Sequence, residues 1–275
     1  MTDKPQRIRD PLHDLINFNG ELTERLCWQI IQTEEFQRLR RIKQLGFSDY
    51  VYPGASHTRF AHSLGVFHIA RKLLNILQHD FPKDYNSIKA QHTLVAALLH
   101  DIGHGPFSHA FENFLAACDF GKKDHGHERK SIRIIKETEV GKILRRGFNS
   151  SSCPEDIAAI LDSETTVADY HDAIVSSLFD ADRLDYMQRD RLMTGTQLGG
   201  IDFSWLLANL TFGEVAAGTD DQETSNHKTF VLNAKAIPAA ESYVLALFQL
   251  YPTVYFHKTT RCFEVLYTQL LKKLH

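Results

Sequence analysis

The sequence predicts a mainly α-helical protein with one small β-hairpin near residues 210–234, and three observations support that fold class. Apolar residues recur at helical spacing along most of the 275 residues. Short segments rich in glycine, proline and serine, such as 51–56, interrupt this spacing. Strand-like sequence occurs at 210–215 and 229–233. Because no repeat or low-complexity linker divides the chain, we expect a single domain over residues 1–275.

The helices are expected in a definite order along the chain. Two helices rich in Leu, Ile, Gln and Arg come first, over about 21–33 and 34–45. The helix after the break at 51–56 carries a stripe that is apolar except for its first member. The members of the stripe are His62, Val66, Ile69, Leu73 and Leu77. The next predicted helix ends at Asp101. The remaining ones cover about 106–118, 127–138, 154–161, 182–192 and 235–273. A polar segment, 218–228, is expected to form an exposed loop between the two strands.

The overall composition limits the class of protein. Hydrophobic residues make up 43% of the chain, which is ordinary for a globular core. The formal net charge of -3 gives no global signature of nucleic-acid binding, although local basic patches leave that partner open. The N-terminus lacks an apolar signal region and no apolar run reaches about 18 residues, so no membrane partner is expected. Four cysteines without C-x-x-C pairing predict reduced thiols in a cytoplasmic protein.

Most of the functional information lies between Leu98 and His109. This stretch carries the imidazoles of His100, His104 and His109 and the carboxylate of Asp101, directly after an apolar run. Buried polar groups are costly unless they are paired or bound to a metal ion. The cluster therefore favours a metal site at the end of a buried helix. A polar helix end with scattered histidines is the alternative.

A His-Asp dipeptide by itself is weak evidence, because the chain contains four of them. They are residues 13–14, 79–80, 100–101 and 171–172. Adjacent residues on a helix point about 100° apart, so they can bind one ion only where the backbone turns. Gly103, Gly105 and Pro106 supply such a turn after the third pair. We expect the other three pairs to be incidental.

A later acidic segment supplies a further candidate ligand. Asp182, Tyr186 and Asp190 fall on one helical face at i, i+4 and i+8. For the two other carboxylates of this segment, Asp180 and Asp185, we expect a solvated acidic face. Asp182 is therefore the member of the segment that is predicted to reach a metal ion.

His62 is the remaining candidate, since it heads an apolar stripe that must face the core. A hydrogen-bonded core histidine is the alternative interpretation of this residue. First-row divalent ions accept mixed imidazole and carboxylate ligands, and Mg is also compatible with them, so the cofactor is expected to be Fe, Mn, Ni, Zn, Co or Mg. The predicted ligands are His62, His100, Asp101 and Asp182.

These four positions resemble the H…HD…D metal signature of the HD-domain phosphohydrolase superfamily. Longer motifs at 38–46, 52–65 and 100–109, together with 184–186 and 254–258, are similar to its deoxynucleoside-triphosphate triphosphohydrolase branch. The resemblance implies an HD-domain helical core that holds one metal ion, sometimes with a second nearby. It implies cleavage between the α-phosphorus and O5′ of a deoxynucleoside triphosphate, which releases a deoxynucleoside and tripolyphosphate.

The resemblance also implies catalytic residues. His127 corresponds to a general acid that protonates the leaving 5′ oxygen, with Glu128 beside it. His104 and His109 match positions that contact phosphate or polarise the site. A helix-capping or core role is the alternative for these two histidines.

Substrate contacts are implied by the same resemblance. Arg59 and Arg183 match cations that bind phosphate, a task that suits a planar guanidinium. Gln44, followed by Leu45 in the same motif, and Asp190 match residues that bind the sugar 3′-hydroxyl. Tyr186 and Tyr255 match aromatics that wall the sugar and disfavour a 2′-hydroxyl. Core packing is an alternative reason for Tyr255.

Two departures from the pattern of this branch concern the substrate. Leu247 stands where members often carry an arginine for the terminal phosphate, and Phe256 stands where a glutamine lies near the base. Leu247 favours a second hypothesis, a related HD phosphohydrolase that acts on another nucleotide or phosphodiester. A third hypothesis is a nucleotide- or nucleic-acid-binding module with residual catalysis.

A third departure concerns regulation. Gln32 replaces the aspartate that reads guanine in the allosteric member of the branch, and an amide cannot accept two N–H bonds as a carboxylate does. Gln37 and Arg40 match allosteric nucleotide contacts, although with Arg38 they could equally form a solvated helix face. We expect a homo-oligomer, a dimer or a tetramer, and a base-tolerant nucleotide activator. The C-terminal assembly region of the branch is expected to be absent or truncated.

Overall fold

The computed structural model describes residues 4–118, 126–162, 169–197, 200–217 and 225–274. Within these ranges the chain is mainly helical, as predicted, with two small antiparallel hairpins. The helices are α1 (Leu22–Ile31), α2 (Glu34–Gln37), α3 (Arg59–Asp80), α4 (Ser87–Leu99), α5 (His109–Ala117), α6 (His127–Glu137), α7 (Glu139–Phe148), α8 (Cys153–Ile160), α9 (Tyr170–Ala173), α10 (Ala181–Thr194), α11 (Phe203–Asn209), α12 (Ile237–Leu250) and α13 (Lys258–Leu274). The strands are β1 (Gln6–Asp10), β2 (Asp14–Phe18), β3 (Leu210–Ala217) and β4 (Ser225–Leu232).

The core is built around α3, which packs against α4 and α10. Thr58 caps the start of α3 by accepting a hydrogen bond from the backbone of Ala61. The predicted stripe is buried along its whole length, including His62 at its head. Helix α4 is buried continuously over residues 93–99, as expected for a helix that is apolar on all sides. His62 of α3 therefore lies inside the molecule, and the His100-Asp101 pair directly follows the buried helix α4.

The predicted hairpin near 210–234 is confirmed. Strands β3 and β4 pair in antiparallel register, with Phe212 opposite Phe230. Residues 218–224 of the predicted loop lie outside the described residues. Residues 225–228, also predicted as loop, belong instead to β4, because cross-strand pairing extends past the aromatic pair.

A second hairpin, formed by β1 and β2, was not predicted. Ile8 lies opposite Ile16, and Asp10 closes the turn by accepting backbone hydrogen bonds from Leu12 and His13 at 2.9 and 3.0 Å. Asp14 has a left-handed backbone with φ of +59°. An aspartate that bonds the backbone two and three residues ahead is a local turn signal, so this hairpin could have been found from the sequence.

Two predicted helices are interrupted. The helix expected over 34–45 ends as a 3₁₀ turn at Arg38–Arg41, and Lys43 instead forms a β-bridge with Thr58. The helix expected over 235–273 is split by a π-helical turn at Tyr251–Tyr255. Pro252 lacks a backbone N–H and so disfavours a regular helix there. Helices α7, α9 and α11 had no predicted counterpart.

The cysteines agree with the expectation of free thiols, since Cys27, Cys118, Cys153 and Cys262 form no disulfide. Cys27 and Cys153 are buried, and burial raises the pKa of the Cys153 thiol to about 12. Across the described parts of the chain, no helix combines the length and the apolar character needed to cross a bilayer.

Candidate metal centre and active site

The four predicted metal ligands meet between α3, the end of α4 and the start of α10. His62 Nε2 lies 3.2 Å from His100 Nε2, 2.9 Å from Asp182 Oδ1 and 3.7 Å from Asp101 Oδ2. His100 Nε2 lies 3.5 Å from Asp101 Oδ2 and 3.7 Å from Asp182 Oδ1. Asp182 is partly exposed, which leaves the group open to solvent on one side. These four residues are called the metal cluster below.

The hydrogen bonds on the far side of the two imidazoles show that the metal cluster suits a cation. His62 Nδ1 lies 2.8 Å from a carboxylate oxygen of Asp185, and His100 Nδ1 lies 2.9 Å from the carbonyl of Ala97. Both oxygens can only accept, so both Nδ1 atoms carry hydrogen. Two Nε2 lone pairs then face each other and repel unless a proton or a cation lies between them. Two imidazoles and two carboxylates form a donor set that a first-row divalent ion accepts.

A proton competes with a cation for this place. Burial by itself lowers the pKa of His62, but the bonds to Asp182 and Asp185 outweigh burial and raise it to about 10. Asp182, a predicted metal ligand, and Asp185, behind the His62 ring, therefore stabilise an imidazolium when no cation is bound. Metal binding at this cluster must release that proton, so it is favoured as pH rises.

Asp185 and Asp180 correct the sequence-based expectation of a solvated acidic face. Asp185 is fully buried, and Arg189 beside it holds the pKa of that carboxyl well below its usual range despite its burial. Asp180 is also buried and caps α10 by accepting the backbone N–H of Arg183. Both contacts depend on how α10 packs against α3, which local periodicity does not reveal.

Three residues hold the His-Asp turn in place. Arg59 pairs with Asp101 at 2.5 Å, and Arg38 donates to the backbone carbonyls that follow it, at residues 102 and 104. Ser131 of α6 donates to the carbonyl of His100 and accepts from the backbone of Gly103, each at 2.9 Å. A Cβ on Gly103 would lie 2.1 Å from the backbone oxygen of His127, so only glycine allows α6 this close.

Next to the metal cluster, three histidines surround one carboxylate. Glu112 Oε1 lies 3.0 Å from His104 Nδ1 and 3.1 Å from His127 Nδ1, and its Oε2 lies 3.2 Å from His109 Nδ1. The rings of His104 and His127 stack at 3.8 Å. These four residues are called the Glu112 cluster. Glu112 was not predicted, although its i, i+3 spacing from His109 on α5 was a usable signal.

Burial and charge give the histidines of the Glu112 cluster different proton affinities. Burial and the nearby Arg59 lower the pKa of His104 to about 4. Burial also disfavours charge on His127, but its bond to Glu112 and the nearby charge of Asp101 raise its pKa above the ordinary value. Neither ring nitrogen of His104 has a well-directed hydrogen bond within the described ranges. Of these two, His127 is therefore the better suited to carry a proton near neutral pH.

A cavity of about 550 Å³ adjoins both clusters, a size that suits a nucleotide. Its lining includes Gln44, Leu45, Arg59, Tyr186, Asp190, Tyr255, Glu128 and Phe256. Asp190 is held at both oxygens, by His57 Nε2 at 2.8 Å and by the Tyr255 hydroxyl at 2.9 Å. Gln44 Oε1 is buried there without a hydrogen-bond partner in the part of the chain that the structure describes.

The other predicted substrate residues lie in different surroundings. Arg183 donates to Asp180 and to the carbonyl of Ser177 and does not belong to the described lining of the cavity. Leu247 is partly buried against the core. Phe256 is 58% exposed, and Glu128 is also exposed.

The candidate regulatory residues form a local network. Gln37 donates to the carbonyl of Ile31 at 2.7 Å and accepts from Arg40 at 2.8 Å. The guanidinium of Arg40 lies 3.6 Å from the ring centre of Phe60. Gln32 is exposed at the end of α1. Arg38 differs from the others, since it is bound to the His-Asp turn rather than solvated.

Comparisons with known proteins agree with this geometry. An HD domain model matches residues 59–189, and an HD associated region model matches residues 221–275. The chain is 37% identical over 271 residues to the uncharacterized protein YwfO of Bacillus subtilis, covering 98% of this chain and 56% of that protein. It is 30% identical over 302 residues to the deoxynucleoside triphosphate triphosphohydrolase SAMHD1 of Mus musculus, covering 97% of this chain and 44% of that protein.

A solved structure of a phosphohydrolase has a similar fold. The crystal structure of a phosphohydrolase from Bacteroides thetaiotaomicron superimposes with a TM-score of 0.73 at 31% identity, covering 95% of this chain and 57% of that one. The chain spans about half the length of the curated relatives described above. The helical fold, the HD domain match and these relatives agree, and the chain belongs to the HD-domain phosphohydrolase superfamily, with a core similar to that of SAMHD1.

Proposed function

We propose that this protein is a metal-dependent phosphohydrolase that converts a 2′-deoxynucleoside 5′-triphosphate to a deoxynucleoside and tripolyphosphate. The observation that carries the proposal is the contact of the metal cluster and the Glu112 cluster with one nucleotide-sized cavity. The similarity to a relative named as a deoxynucleoside triphosphate triphosphohydrolase supports the substrate class.

The metal cluster would hold one divalent ion through His62, His100, Asp101 and Asp182. Such an ion supplies positive charge to phosphate oxygens and lowers the pKa of a water molecule. Arg59, buried between Asp101 and Ser108, adds a fixed guanidinium beside the same ligands. This charge favours a phosphate group at the end of the cavity nearest the metal cluster.

His127 is the proposed general acid for the leaving 5′ oxygen. Glu112 raises the pKa of His127, which increases the fraction of imidazolium available at neutral pH. Glu112 accepts from Nδ1, so Nε2 is the nitrogen that can donate a proton to substrate. His104 stacks on His127 and limits the rotation of its ring.

The sugar end of the cavity supports a deoxynucleoside. Gln44 Oε1 needs a donor, and a 3′-hydroxyl is a donor of suitable size. Asp190, held by His57 and Tyr255, has fixed oxygens that can accept the same hydroxyl. The ring of Tyr186 approaches that of Tyr255 edge to face, which narrows the space available beside the sugar.

Product analysis combined with elemental analysis tests the proposal. Purified protein is incubated with the four deoxynucleoside triphosphates, a nucleoside monophosphate and a cyclic nucleotide, and the phosphate product is identified. Tripolyphosphate with bound divalent metal is the expected result. Orthophosphate or pyrophosphate would instead favour a related HD phosphohydrolase, the candidate that Leu247 supports. Binding without turnover would favour a nucleotide-binding module.

We also propose that the protein forms a homo-oligomer with a base-tolerant nucleotide activator site near Gln37 and Arg40. Gln32 lacks the carboxylate that would bind the guanine N1 and N2 hydrogens as a charged pair. Sedimentation with and without GTP and dATP tests both parts. A monomer under all conditions would contradict assembly, and assembly driven by GTP alone would contradict base tolerance.

A further inference from the structure

The His13 side chain, in the turn of the N-terminal β1–β2 hairpin, lies directly behind the metal cluster. The His13 side chain is 5% exposed, and its Nε2 lies 2.6 Å from Asp185 Oδ1. The other oxygen of Asp185 accepts from His62 Nδ1 at 2.8 Å. One carboxylate therefore connects the hairpin to a predicted metal ligand, across 172 residues of sequence on one side and 123 on the other.

Arg189 joins the hairpin to the same carboxylate by a second route. Its Nε and Nη2 donate to Asp185 at 2.7 and 3.0 Å, and its Nη1 and Nη2 donate to Asp10 at 2.9 and 3.3 Å. Asp10 also fixes the turn through its bonds to the backbone of Leu12 and His13. Asp10, Asp185 and Arg189 are all buried, so each depends on these partners.

Space around Asp185 is restricted by α3. A Cβ on Gly65 would lie 1.9 Å from Asp185 Oδ1 and 2.5 Å from Arg189 Nη2. The carboxylate is thus packed against the helix backbone and holds its position through four N–H donors, one each from His13 and His62 and two from Arg189. Removing the His13 donor takes away the shorter of the two N–H bonds to Oδ1 and leaves that oxygen held by Arg189 Nη2 alone, which weakens the fixation of the carboxylate.

We propose that His13 is a positioning residue of the metal cluster: it fixes Asp185, which in turn fixes the ring orientation and the tautomer of His62. The inference rests on the proposed role of His62 as a metal ligand. It makes the β1–β2 hairpin part of the metal-binding apparatus. It also gives a role to His13, although the His13-Asp14 pair was one of the three His-Asp pairs that were expected to be incidental. Groups behind a ligating histidine commonly change metal affinity by 10–100-fold.

The test measures Mn²⁺ binding by calorimetry on the metal-stripped full chain. His13→Phe keeps a ring but removes the N–H, and its dissociation constant should rise about tenfold or more. His13→Gln keeps an amide N–H at similar reach and should bind Mn²⁺ nearly as wild type does. His79→Ala is the matched control, because His79 bonds Asp80 at 2.7 Å on the exposed surface.

A loss of hairpin packing must be separated from a loss of the His13 hydrogen bond. Ile16→Val shortens a fully buried side chain of β2 without touching Asp185, and it serves as the stability control. The melting temperature of each variant is measured, and affinities are compared at one temperature at which all variants are folded. Should His13→Phe fail to fold, His13→Asn, whose amide is too short to reach Asp185, replaces it.

Three results would overturn the inference. They are unchanged Mn²⁺ affinity in folded His13→Phe, no rescue by His13→Gln, and an equal loss of affinity in Ile16→Val. Wild-type protein that binds no divalent ion would instead overturn the proposed metal site itself, and the inference with it. The two failures are therefore distinguishable from the wild-type measurement alone.

Discussion

The metal cluster and the Glu112 cluster lie side by side. Both consist of histidines and carboxylates, but they differ in the contacts that hold those side chains in place. In the metal cluster each imidazole is fixed from behind, by Asp185 or by the carbonyl of Ala97. In the Glu112 cluster three imidazoles share one carboxylate, and His109 is 65% exposed. The first arrangement is suited to holding a cation, and the second, in the proposed function, to gaining and losing a proton. Similar residue types are thus suited to different chemistry because their outer partners differ.

The largest expected effect comes from removing a charge of the metal cluster. Asp182→Asn should abolish stoichiometric metal binding and lower turnover by about a thousandfold, because in the proposed function the ion both neutralises phosphate charge and activates the attacking water. Elemental analysis and product formation check the two parts. Asp84→Asn, an exposed carboxylate that pairs with Lys228, is the control. Full metal content in the Asp182 variant would remove this residue from the ligand set.

The next effect separates the two clusters. His127→Ala should lower turnover by about a hundredfold while metal content stays at the wild-type level, since the proposed role of the residue is to supply a proton and not to bind the metal ion. The measurement pairs a rate assay with elemental analysis on the same preparation. If the metal is lost instead, His127 belongs to the metal cluster and its assignment as general acid is wrong.

A pH profile tests what Glu112 does for its histidines. Glu112 raises the pKa of His127, so the acid form persists above the ordinary histidine value and the rate falls only at higher pH. Glu112→Gln removes that negative charge while burial and the nearby Arg59 still lower the pKa. The alkaline limb of the turnover profile should therefore move to lower pH, with about tenfold less activity on that limb. An unmoved limb would assign the titration to another group.

The smallest effect concerns the cavity that both clusters adjoin. Wild-type protein should use 2′,3′-dideoxynucleotides poorly and should discriminate only modestly among the four bases, because Phe256 offers an exposed apolar surface. Tyr255→Phe removes one bond to Asp190 and should reduce the preference for a 3′-hydroxyl about fivefold. Tyr251→Phe, in the same cavity lining, is the control. Strong base discrimination together with free use of dideoxynucleotides would reverse this interpretation.

Much of the fold could be predicted from local sequence. The helices that carry apolar stripes and the β3–β4 hairpin are present near their predicted positions, because periodicity of apolar residues reports which face is buried. The secondary-structure predictions fail where the periodicity of apolar residues is weak or fits more than one structure. The π-helical turn at Tyr251–Tyr255 interrupts a stretch that is apolar on both sides, and it brings Tyr255 to Asp190.

The sequence by itself determined which residue types could bind a metal ion, since His62 on a buried stripe and the His-Asp pair before two glycines are local patterns. Only the tertiary structure decided that Asp185 is buried and bound by His13, and that Glu112 is shared by three histidines. The physical reason is that desolvation and pairing depend on contacts between distant segments. A carboxylate on a helix has the same local sequence whether its face meets water or another helix.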